Sequence, residues 1–115
     1  MAGVFYGDLN DPSAIRITDN LSWVPHHGWD DETDQIDAQL VTADRRVVGQ
    51  LDIWAAEHPE TADTIEPQLA AAARATWDAG SVLTGKPEQF GCTSLLVPGQ
   101  LSRATVSEAL RRFHP

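Results

Sequence analysis

The residues best equipped for chemistry lie together between positions 23 and 34, in the run Trp-Val-Pro-His-His-Gly-Trp-Asp-Asp-Glu-Thr-Asp. Neutral imidazole and carboxylate both suit zinc, iron or manganese, so His26 and His27 beside these acids form a candidate metal site. Their spacing argues against it. Adjacent side chains diverge in an extended chain, and the helical arrangement of two histidines four apart is missing. The same run fits a protein interface better, as aromatic anchors within a charged rim. On that reading Trp23, His26, His27, Trp29, Asp30, Asp31 and Asp34 would meet a partner. The plainer alternative is that both tryptophans plug the edge of the core while the acids open a helix.

Elsewhere the chain offers little chemistry. Cys92 stands alone, so no internal disulfide forms, and a lone thiol with no histidine at a readable spacing is expected to be buried and inert. Thr84-Gly85-Lys86 lacks the spaced glycines and the following hydroxyl residue of a phosphate loop. No Ser–His–Asp order, glycine-rich fingerprint or paired-carboxylate motif is readable. The expectation is a protein without catalysis and without a cofactor.

Charge is distributed unevenly. The net charge is −9, yet residues 1–66 carry fourteen acids against three arginines, while residues 67–115 carry three acids against five bases. An acidic half repels phosphate backbones, which counts against nucleic acid as a partner, and it favours a basic protein or simple solubility. No apolar run approaches the roughly 18 residues needed to span a bilayer, and no basic-then-apolar leader opens the chain. Together with the single cysteine, this predicts a cytoplasmic protein with a single small globular domain over 1–115.

The elements that must position these residues are read from periodicity. Ile36, Leu40, Ala43, Val47, Leu51, Trp54 and His58 recur in steps of four and three, predicting an amphipathic helix stopped at Pro59. A rival hairpin would pair 39–42 with 46–53 around Ala43-Asp44-Arg45, with Gly49 marking a bulge. A second helix follows from Ile65, Leu69, Ala72, Ala73, Thr76 and Trp77, capped by Thr61 or Thr64, with Pro67 in its first turn and Gly80 after its end. Trp54 and Trp77 are expected in the same core. Residues 14–18 and 21–24 suggest a small hairpin across Asp19-Asn20. A simple two-residue turn there would set Arg16 opposite Trp23. The predicted fold is mainly α with a minor N-terminal β-hairpin (α+β): two central amphipathic helices plus a C-terminal helix.

Near the C-terminus, Ser102-Arg103-Ala104-Thr105-Val106-Ser107 followed by Ala109-Leu110 resembles the recognition helix of helix-turn-helix regulators of the lactose-repressor kind. That resemblance covers about a dozen residues. It implies that Ser102, Arg103, Thr105 and Ser107 would face DNA while Val106 and Leu110 pack inward. The preceding Leu95-Leu96-Val97-Pro98-Gly99 departs from the pattern, since proline would break the bracing helix. The alternative is a capped amphipathic helix burying Leu101, Val106, Ala109, Leu110 and Phe113.

Three functions remain open from sequence. The first is a small acidic protein-binding module of the inhibitor, immunity-protein or antitoxin kind, bacterial or phage-encoded, acting on a basic protein. The second is a DNA-binding regulator using the C-terminal helix. The third is a metal-dependent enzyme centred on His26 and His27. The alanine run Ala70–Ala73 would also allow close approach of a second copy as a homodimer.

Overall fold

The computed structural model describes residues 4–27, 35–56, 65–79, 91–98 and 101–113. In chain order the elements are β1 (Ile15–Thr18), β2 (Leu21–His27), β3 (Gln35–Thr42), β4 (Val47–Ala56), α1 (Ile65–Ala79), β5 (Gly91–Pro98) and α2 (Arg103–Arg111). The strands form one sheet in the order β1-β2-β3-β4-β5. The first four make an antiparallel meander. β5 lies parallel to β4, as a crossover through α1 requires.

This overturns the predicted mainly α fold. The chain is α+β, dominated by a mixed five-stranded sheet, with two helices among the described residues. Where a central helix is predicted over 36–58, the described residues as far as Ala56 form the β3–β4 hairpin, the rival reading, and positions 57 and 58 lie outside the described residues. The physical reason lies in the steps of that stripe. A step of four keeps a residue on the same face of a helix and of a strand alike, so Ile36 and Leu40 satisfy both. A step of three does not, and the residues reached by threes, Ala43 and Trp54, are the ones left exposed.

The hairpin is built around a three-residue turn. Thr42 N–H donates to the Arg46 carbonyl at 2.9 Å, and Arg45 adopts a left-handed φ of 68°. Val41 pairs with Val47 but Leu40 pairs with Gly49, so Val48 is an extra residue. Gly49 also lets α1 come close. A Cβ there would stand 3.2 Å from Leu40 Cβ and from Thr76 Cγ2. In the first hairpin a similar irregularity between Arg16 and Thr18 sets Ile15 against Trp23 and Arg16 against Ser22, relieving the clash of types that a simple turn implied.

One face of the sheet carries the core. Leu21, Trp23, Ile36, Ala38, Leu40, Leu51, Ile53 and Val97 pack against Ile65, Leu69, Ala73 and Trp77 of α1 and Val106, Ala109 and Leu110 of α2. Phe113 ties the layers together, edge-on to Trp23 at 6.2 Å and tilted against Trp77 at 5.4 Å. Trp77 therefore sits in the core as expected, while Trp54 does not share it. The capped reading of the C-terminal helix holds. Ser102 Oγ accepts from Thr105 N–H, and Val106, Ala109, Leu110 and Phe113 are buried.

Candidate functional site

The opposite face of the sheet is covered over part of its width. Segment 4–14 crosses it, packing Phe5, Leu9 and Ala14 against Val24, Val41 and Val47. Fully buried Gln39 pins the segment from β3. Its Nε2 donates to the Val4 carbonyl at 2.7 Å and its Oε1 accepts from Tyr6 N–H at 3.1 Å. The Tyr6 ring stacks on His26, with centroids 5.8 Å apart.

Beyond that segment no described element covers the face. Strand register sets out its surface in rows. His26, Asp37, Asp52 and Ser94 lie side by side across β2, β3, β4 and β5, and the next row runs Gln35, Trp54 and Leu96. Trp54 is 42% and Leu96 67% exposed. Two large apolar side chains thus meet solvent beside two carboxylates. Apolar surface grouped in this way, rimmed by polar groups, marks an interaction face more often than scattered exposure does.

Asp37 and Asp52 are the electrostatic centre of this face. Like charges directly opposite in an antiparallel pair repel. Among the described residues no lysine or arginine is paired with either carboxylate. Each instead accepts from a glutamine two residues away on its own strand, Gln35 Nε2 to Asp37 and Gln50 Nε2 to Asp52, both at 2.9 Å. Burial, then the neighbouring Asp52 charge, push the Asp37 carboxyl up to about 6 from 3.8. Asp37 is 9% exposed, while Asp52 is more open to solvent. Asp37 can hold its proton up to about pH 6, or the two carboxylates can accept a cation from solution.

The residues singled out from sequence are dispersed by the fold. Trp23 is fully buried in the core, its indole N–H without an acceptor among the described residues. His26 stands at the edge of the Asp37 row beneath Tyr6. His27 closes β2, paired with Ile36. Trp29, Asp30, Asp31 and Asp34 lie outside the described residues. Among those described, no group of three His, Cys, Asp or Glu side chains is placed to hold a metal ion.

The four residues likened to a recognition helix have internal partners. Arg103 Nη2 donates to Asp11 and, at 2.6 Å, to the Pro25 carbonyl. Ser107 Oγ bonds the Ser13 carbonyl at 3.0 Å, and Ser102 and Thr105 form the helix cap. β5, not a helix, precedes them.

Sequence reading missed Asp37, Asp52, Trp54 and Leu96 as a site. The signal was present in the hairpin. With the turn at 43–45 and one extra residue near Gly49, position 37 falls opposite 52 and position 35 opposite 54. No protein-family model, curated protein or solved structure matches this chain. Among the described residues no helix is long and apolar enough to cross a membrane.

Proposed function

We propose that this chain is a small acidic protein-binding module that engages a basic partner through the part of its sheet that no described element covers. The observation that carries this reading is the juxtaposition of exposed Trp54 and Leu96 with Asp37 and Asp52, which no arginine or lysine among the described residues pairs. An aromatic and an aliphatic side chain supply apolar area, and the carboxylates select for positive charge. The net charge of −9 would steer such a partner at long range. An inhibitor, immunity or antitoxin role fits this chemistry, and a reducing compartment such as the cytoplasm suits the lone Cys92.

The test is a comparison of baits in lysate of the source cells: wild type, Trp54→Ala, Asp52→Asn and, as a control from α2, Glu108→Gln. The reading expects a basic protein that wild type and the control retain, that both face variants lose, and that salt elutes. Equal retention by all four baits, or none by any, would count against it.

A further inference from the structure

We infer that the part of the sheet face that no described element covers seats one arginine side chain of its partner, stacked on Trp54 and forked onto Asp52 with Asp37 behind it. The inference rests on the proposed binding role and names the group recognised and the condition that controls it.

Three features converge on a guanidinium. First, the two carboxylates occupy directly opposed positions on β3 and β4, and the side chains bonded to them are neutral glutamines. Two ionised carboxylates so close leave an unbalanced charge that either a proton or an incoming cation relieves. Second, Trp54 lies two residues from Asp52 on the same face of β4, with 42% of its surface open. A planar cation can stack on that indole and still reach the carboxylate next to it. Arginine does both with one rigid group, whereas an ammonium satisfies only one contact at a time. Third, Leu96 on β5 borders Trp54 and is 67% exposed, providing an apolar floor for the methylene stem of a long basic side chain.

The groups around the pair fix what a pH change would alter. On β2 the neighbour of Asp37 is His26, itself under Tyr6 of the N-terminal segment. On β3 the flanking residues on that face are Gln35 and Gln39, on β4 Gln50 and Trp54, and beyond Asp52 on β5 comes Ser94. Protonation of Asp37 beside Asp52 weakens the seat for a cation at low pH. Binding is therefore tight when the pair is ionised and weak when it holds its proton.

The experiment uses the full chain with acetyl-arginine amide as the probe and acetyl-citrulline amide as its neutral isostere. Carboxyl carbon NMR follows Asp37 and Asp52 against pH, and the indole signal of Trp54 reports seating. In the free protein the pair is expected to take up its first proton near pH 6. Saturating acetyl-arginine amide should move that midpoint down by at least about one unit, with affinity rising about five- to tenfold from pH 5 to 7 as one proton is released. The Trp54 signal should shift with arginine and not with citrulline, and the pH dependence should vanish in Asp37→Asn. Ordinary titration of both carboxylates below about pH 4.5 in the free protein would overturn this pH control. So would an elevated midpoint that arginine leaves in place. A lysine amide that matched the arginine probe would overturn the assignment to a guanidinium. Each of these results can occur while the bait variants still lose the partner, so failure here is distinguishable from failure of the binding role.

Discussion

Replacing Asp37 by asparagine removes a charge from the β3–β4 pair while keeping an oxygen that can accept from Gln35 and gaining an N–H that can reach Asp52. The size of the effect follows from the carboxyl's displacement, from 3.8 to about 6, with burial as the larger cause and the Asp52 charge as the second. Roughly two units correspond to at most about 3 kcal/mol, at 1.36 kcal/mol each. Solvent at the open Asp52 side screens part of this, leaving an expected gain of about 1–2 kcal/mol. The sign is fixed by proton counting. Between pH 4 and 6 the folded protein holds a proton that the unfolded chain has already lost. Wild-type stability must therefore fall as pH rises through that window and stay lower above it. The variant lacks this contribution. Urea unfolding should find Asp37→Asn more stable than wild type by about 1–2 kcal/mol at pH 7.5 and nearly equal at pH 4. A variant less stable than wild type at pH 7.5, or a difference independent of pH, would refute the reasoning.

Other substitutions probe the frame that holds this face. Arg103→Ala strips a donor from Asp11 and from the Pro25 carbonyl and should cost about 2–3 kcal/mol by urea unfolding, since it leaves a partly buried carboxylate unpaired. Arg45→Gly should raise stability by up to about 1 kcal/mol, because Arg45 holds a left-handed φ of 68° that glycine adopts freely; a loss would mean the turn depends on that side chain. Phe113→Ala removes the ring shared by Trp23, Trp77 and Arg74 and should cost about 3–4 kcal/mol, with a loss of near-ultraviolet tryptophan dichroism.

Parts of this molecule were legible from sequence because local and tertiary demands agree in them. In α1 the apolar residues Ile65, Leu69, Ala73 and Trp77 repeat at helical spacing and are all buried. In α2 the Ser102 cap and the inward Val106 and Leu110 stand as the pattern implies. The β3–β4 hairpin was obscured because its steps of four suit either conformation, and because one extra residue at Val48 breaks a strict alternation along β4. Trp54 shows the consequence. Counted on a helix it joins the core, whereas on a strand with Leu51 and Ile53 facing α1 it must turn outward. The Asp37–Asp52 pair was hidden by the same error, since the two side chains stand fifteen positions apart in sequence and only the hairpin register brings them together. Trp23 was misplaced for a different reason. A tryptophan among polar residues resembles an interface anchor, yet its partners Leu40 and Phe113 come from elsewhere in the chain.

The claim that the sheet face around Trp54 and Leu96 is the binding face is tested most directly by hydroxyl-radical footprinting of the protein alone and in complex with whatever basic partner the wild-type bait retains. Trp54 and Leu96 are expected to label readily in the free protein and to be protected in the complex, with Arg16 and Asp19 of the first hairpin unchanged. Equal labelling of Trp54 and Leu96 in both states, with protection elsewhere, would contradict it.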